Sequence, residues 1–130
     1  MVRVVANPPD VSPYYGQSDA VIVPIRGGGG TRIKILEAFS YGMPVVSTTI
    51  GAEGLDVTPG LDIIIADCPE SFAEQCHRIW TDDPLRRRIA RGGYDLWRRK
   101  YNPAALAVAL KAAYEGMKTP GIGRERNTAF

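Results

Sequence analysis

The sequence predicts an α/β domain of three layers, with helices on both faces of a mostly parallel sheet of the doubly wound kind. Two observations carry this. Residues 20–47 read as strand, glycine turn, helix and strand, the order a parallel strand pair requires because its connection has to cross the sheet. The strand candidates at 20–23, 44–47 and 63–66 are also largely apolar on successive residues rather than on alternate ones. That pattern suits strands covered on both faces. At 130 residues the chain is one domain with enough length to bury a core.

Taken in order, Val2 to Ala6 reads as a first short strand, broken by Asn7-Pro8-Pro9-Asp10. Ser12 caps a helical turn with Pro13 at its first position, running through Tyr14, Tyr15 and Gln17. The strand at 20–23 leads into four contiguous glycines, Gly27 to Gly30, and a helix over 31–41 that Gly42 ends. The strand at 44–47 follows, then a second glycine-bearing turn, Gly51 to Gly54, then a fourth strand at 63–66. The periodicity of Phe72, Cys76, Ile79 and Trp80 predicts one buried face on a helix over 69–81. Asp82 or Asp83 with Pro84 starts another, carrying Leu85, Ile89 and a dense set of arginines, which Gly92-Gly93 is expected to interrupt or kink. Tyr94, Leu96, Trp97 and Tyr101 continue an aromatic face expected in the core. Asn102-Pro103 opens a last helix with the stripe Leu106, Leu110, Ala113, Tyr114 and Met117. The breaker after Lys118 puts the domain at 1–118 and a loose tail at 119–130. That makes four strands and about five helices.

Composition narrows the function classes. An apolar fraction of 45% and a charged fraction of 23% are those of ordinary soluble globular chains, and a net charge of +2 makes no case for nucleic acid. Two cysteines, Cys68 and Cys76, are too few for a secreted disulfide framework and are expected as reduced, buried thiols. The single histidine, His77, argues against a zinc site or a histidine-based triad. With neither a membrane-spanning run nor a signal peptide in view, a cytoplasmic location is expected. The basic residues Arg86, Arg87, Arg88, Arg91, Arg98 and Arg99 form a solvated face that could also touch an anionic membrane surface from the inner side.

The chemistry concentrates in the glycine turn and the helix after it. Glycines let a backbone approach a ligand closely, and the first turn of a helix aims free N–H groups and a partial positive charge at that spot. An anion, by default phosphate, is the fitting ligand. The turn lacks the Lys-Ser/Thr pair of a P-loop and the spaced glycines of a dinucleotide fingerprint. Backbone amides of Gly28, Gly29, Gly30 and Thr31 would form the cradle, while Arg32 and Lys34, with Arg26 as a lesser candidate, add positive charge. Each has a plainer reading: Thr31 as helix cap, the basic residues as a solvated face, Gly51 to Gly54 as a tight turn, and Glu37 as an exposed partner of Lys34.

Read together, GGGTRIKILEAFSYGMPVVSTTIGAEGL preceded by PYYGQSDAVIVP resembles the donor-binding, carboxy-terminal half of GT-B glycosyltransferases of the "group 1" type, similar to family 4. The elements that carry the resemblance are Gly28 to Thr31, Glu37-Ala38, Gly42-Met43-Pro44-Val45-Val46 and Gly51-Ala52-Glu53-Gly54, within roughly residues 10–110. It implies a Rossmann-like fold and transfer of a sugar, of the hexosyltransferase type, from a nucleotide-diphosphate sugar to an acceptor. Retention of configuration and independence of metal or cofactor are expected with it. Glu37 is then the residue that holds the ribose hydroxyls, since a carboxylate accepts from two vicinal hydroxyls at once. Gly28, Gly29, Gly30 and Thr31 would line the nucleotide site, with Arg32 and Lys34 stabilising the diphosphate leaving group.

The family often carries a second glutamate eight positions before the first. Here that place is Gly29, which can offer only its amide. A domain of this kind usually opens with a βαβ region holding a basic pair, and pairs with an acceptor-binding amino-terminal domain. Neither is matched, so the chain is expected to be an incomplete carboxy-terminal piece, inactive in isolation and open to dimerisation through an exposed sheet edge. Two other readings stand beside this one: a nucleotide-sugar epimerase of the same fold, and a non-catalytic nucleotide- or phosphate-binding module.

Overall fold

A computed structural model of the chain describes residues 1–30 and 32–118. Helix α1 (Ser12–Gly16) precedes strand β1 (Val21–Val23), helix α2 (Ile33–Ser40) and strand β2 (Val45–Ser47). A 3₁₀ turn (Ile50–Ala52), strand β3 (Ile64–Ile65), and helices α3 (Pro69–Thr81) and α4 (Asp83–Leu96) follow. Helix α4 runs on as a π turn (Trp97–Tyr101) before α5 (Pro103–Lys118). The proposed tail at 119–130 and Thr31 lie outside the described residues.

The sheet is open, parallel throughout, and ordered β1-β2-β3, with Val21 opposite Val45 and Val46 opposite Ile64. Successive residues of β2 point to opposite faces, and both faces are covered. Val45 packs with Ile35, Ala38 and Phe39 of α2, and with Leu96 at the end of α4. Val46 packs with Ile79 of α3 and with Leu85 and Ile89 of α4. Phe39, Ile35, Ile79 and Ile89 are fully buried, each worth about 1.5–3 kcal/mol of transfer free energy. Helix α4 therefore begins on one face of the sheet and ends on the other, clamping α2 from outside.

Where the structure departs from the reading of the sequence, the reasons are local. Residues 2–6 form no strand, so among the described residues three strands stand where four were expected. Val2 and Val4 are exposed, and a lone apolar run without a ladder partner has nothing to hold it extended. Ser12 does not cap α1. Val11 occupies the cap position, and Ser12 donates from both its amide and its hydroxyl to the Asp10 carboxylate. Helix α2 starts at Ile33 after an Arg32 that provides no side-chain cap. Helix α4 passes through Gly92 and Gly93 without a break. On α3, Ile79 is buried but Trp80 is exposed, because the sheet face reaches only Phe72, Cys76 and Ile79.

The caps at Asp82 and Asn102 form as expected, accepting from the amides of Leu85 and Ala105. The α5 stripe is another departure: Leu106, Leu110 and Tyr114 are exposed. Arg86 and Arg87 pair with Asp83, and Arg91 and Arg98 with Asp95, surface contacts of small energetic weight. No helix among the described residues is long and apolar enough to cross a membrane.

The two cysteines are free, but only Cys76 is partly buried; Cys68 is exposed at the start of α3, where it was expected to be covered. Burial pushes the Cys76 thiol above its ordinary value. Both effects slow thiolate chemistry at Cys76. A thiol-reactive chromophore at neutral pH should therefore label Cys68 promptly and Cys76 at least about tenfold more slowly; equal rates would contradict this packing.

Candidate functional site

The carboxyl ends of β1 and β2 are where open parallel sheets bind ligands. A cavity of about 450 Å³ lies there, lined by Val23 and Ile25 from β1 and its extension, by Gly29 and Gly30, by Arg32, Ile33, Lys34, Ile35 and Glu37, and by Gly51 of the 3₁₀ turn. Five of the seven residues singled out in the sequence meet in this one place: Gly29, Gly30, Arg32, Lys34 and Glu37. Gly28 belongs to the same turn without lining the cavity, and Thr31 is outside the described residues. Gly28 and Gly30 have φ of 111° and 140°, conformations that strain any residue with a side chain, so the turn demands glycine there.

Arg32 is the unusual member. Its side chain is only 8% exposed, and its Nε is buried with no hydrogen-bond partner among the described residues. Its guanidinium makes one long contact, 3.4 Å from Nη2 to Oε2 of Glu53, a carboxylate that is itself 74% exposed. A desolvated cation held by one solvated partner and carrying an idle donor is poorly satisfied on its own, since buried charge is costly unless fully paired. The arrangement suits a second anion in the cavity. The amino end of α2, with its dipole, faces the same space. Lys34 is exposed, lines the cavity and makes no ion pair among the described residues.

Glu37 lines the cavity one turn further along α2 and is half-buried. It does not pair with Lys34, the plainer role open to it. Its Oε2 instead accepts from the Tyr15 hydroxyl at 3.0 Å. Burial first, and the neighbouring Glu37 second, push the Tyr15 phenol up to about 12, so it stays protonated and donates.

The loop after β2 is pinned by Thr48 and Thr49. The Thr48 hydroxyl donates to the Ile25 carbonyl and accepts from the Gly51 amide at 2.9 Å, while Thr49 donates its amide and hydroxyl to Asp67, at 2.7 and 2.8 Å. Those two bonds hold the Asp67 carboxyl below its usual range. This fixes Gly51 at the cavity wall and carries Glu53 to Arg32. Arg26 lies across these threonines, in two shallower hollows with Asp67, and does not line the main cavity. No cluster of three or more potential metal ligands occurs among the described residues.

Two contributors were not singled out from the sequence. Glu53 reads in the sequence only as part of the second glycine turn, and Tyr15 as an ordinary residue of the first helical turn. Their partners stand 21 and 22 residues away, and no local pattern signals such pairings.

Comparison with known proteins places these features. The sequence profile of the family "Glycosyl transferases group 1" matches residues 1–82. An "Uncharacterized 44.6 kDa protein in cps region" of Klebsiella pneumoniae is 32% identical over 75 residues, covering 56% of this chain and 19% of that protein. The crystal structure of the C-terminal domain of a glycosyl transferase group 1 family protein (LpcC) from Francisella tularensis superposes with a TM-score of 0.68 at 23% identity, covering 78% of this chain and 53% of the other. The fold is thus that of a GT-B carboxy-terminal domain. The chain spans about half of one relative and less than a fifth of the other.

Proposed function

Since the chain belongs to the glycosyl transferases of group 1, we propose that it carries the donor-nucleotide site of an enzyme moving a sugar from a nucleotide-diphosphate sugar to an acceptor. The observation that carries this reading is the nearly buried, incompletely paired Arg32, which lines one cavity together with Glu37 and the first residues of α2. In the transfer the bond from the anomeric carbon to the β-phosphate oxygen breaks, and negative charge grows on the departing diphosphate. The acceptor hydroxyl forms the new bond, and its proton leaves with the nucleoside diphosphate or to solvent. Arg32, Lys34 and the α2 amides stabilise the charge as it develops, so the reaction needs no metal or cofactor for that task. Glu37 holds the ribose by accepting from its two hydroxyls.

Retention of configuration, the hexosyl character of the sugar, and an acceptor-binding domain completing the active site belong to the same reading. So does low activity of the 130-residue chain by itself. Self-association through the free edge of β1, where Ile22 is 56% exposed, and contact of the arginine face with a membrane surface are subsidiary proposals.

The direct test is Glu37→Gln. The change keeps size and helix propensity and leaves a carbonyl to accept from Tyr15, but removes the charge. Hydrogen bonds to charged groups are worth roughly 1.5–3 kcal/mol against about 1 for neutral pairs. Affinity for UDP or GDP, measured by calorimetric titration, should fall about tenfold, or about 1.4 kcal/mol, with little change in melting. Equal affinities in variant and wild type would remove Glu37 from the site. Failure of the wild type to bind any nucleotide sugar would favour a non-catalytic module.

A further inference from the structure

We infer that Tyr15 is a positioning residue for the donor site: its hydroxyl fixes one oxygen of the Glu37 carboxylate and so leaves the other set toward the ribose. The inference rests on the donor reading of Glu37 given above. Helix α1 stacks the Tyr15 ring on Tyr41, with centroids 4.5 Å apart and planes 11° from parallel. The Tyr15 ring also packs against the core formed by α2 and the sheet. Ser12 bonds the Tyr41 hydroxyl at 2.8 Å and is itself tied to Asp10, so the ring pair is held at its rim.

Tyr15 lines a separate cavity of about 220 Å³, together with Val5, Val11 and Val21, and not the one that Glu37 lines. It reaches Glu37 from behind, without occupying space that a ligand would need. A glutamate carboxylate turns freely about its last torsion, whose preference is broad and two-fold. Gripping two vicinal hydroxyls needs that plane fixed beforehand, and one bond from a phenol that stays protonated supplies the constraint. Tyr15 touches no nucleotide in this arrangement and acts through Glu37 alone.

The test compares the affinities of the purified protein for UDP and GDP with those for their 2′,3′-dideoxy counterparts. It is run in wild type, Tyr15→Phe, Tyr41→Phe and Glu37→Gln, with melting curves alongside. Phenylalanine keeps the ring stacked on Tyr41, so Tyr15→Phe should fold. Its preference for the ribonucleotide should drop roughly three- to tenfold, while Tyr41→Phe, which loses a hydroxyl in the same ring pair but not the Glu37 bond, keeps the wild-type preference. An unchanged preference in Tyr15→Phe, with Glu37→Gln abolishing it, would overturn the positioning role and leave the donor reading intact. Equal weakening of both nucleotide forms would assign Tyr15 to the scaffold and likewise overturn it. A wild type that binds ribo and dideoxy forms alike overturns the donor reading and this inference with it.

Discussion

Replacing Arg32 by methionine is expected to weaken nucleoside diphosphate binding by about a hundredfold while leaving the melting temperature unchanged or slightly higher. The two halves of that expectation come from the same feature. The guanidinium is desolvated, and among the described residues its Nε has no partner and its only ion pair is a 3.4 Å contact to an exposed carboxylate. A bound diphosphate would supply further acceptors to the guanidinium, and two charge-assisted bonds are worth roughly 3 kcal/mol together, about two decades in affinity. For folding the sign reverses. An unsatisfied buried cation is a standing cost, and apolar replacement of buried ion pairs is often neutral or stabilising by about 1–4 kcal/mol. Glu53, left behind, is 74% exposed and is hydrated by solvent, so no buried charge is stranded. If Arg32 served only to tie the second glycine turn to α2, the pattern would be opposite: a lower melting temperature and unchanged nucleotide affinity. Titration calorimetry and thermal melts on one pair of proteins separate the two.

The βαβ centre of the fold was legible because each of its parts is written locally. Runs such as Val45-Val46 are apolar on both faces, and glycines bound the turn before α2. The ends of α3 were legible for the same reason, with Pro69 at its start and the Asp82 cap of the next helix directly after it. The apolar run at 2–6 misled because strand propensity says nothing of whether a neighbouring strand exists. The site divides along the same line. Gly29, Gly30, Arg32, Lys34 and Glu37 fall within nine consecutive residues, so one local turn and the start of α2 set them around one space. Tyr15 and Glu53 come to that space only through the way α1 and the loop after β2 fold back on α2. What decides their roles is a distance in space, not one in sequence.

The glycine pair in α4 shows the same limit with a measurable sign. Judged along the helix alone, Gly92-Gly93 is a weak point, and alanine at either place should stabilise by about 1 kcal/mol. The packing reverses this. A Cβ on Gly92 would drive into the carbonyl oxygen of Leu61, within 2.9 Å of the Leu61 carbonyl carbon and 3.0 Å of the Asp62 Cα. All three are backbone atoms that cannot rotate away. A Cβ on Gly93 would stand 2.5 Å from Cδ1 of the fully buried Phe39 ring. Helix α4 thus reaches the loop before β3 and the back of α2 because these two positions carry no side chain. Forcing a methyl into packed surroundings costs about 1–3 kcal/mol and more where backbone must move. Even after the propensity gain, Gly92→Ala should lose about 2 kcal/mol or more, lowering the melting temperature by roughly 5–10 °C. Gly93→Ala should lose somewhat less, since a ring can shift slightly. Gly116→Ala in α5 is the control: nothing lies within 4 Å of its Cβ position, so the same substitution should gain up to about 1 kcal/mol. Thermal melts of the three variants read all the signs at once, and a Gly92→Ala protein as stable as wild type would refute the close approach of α4 to Leu61.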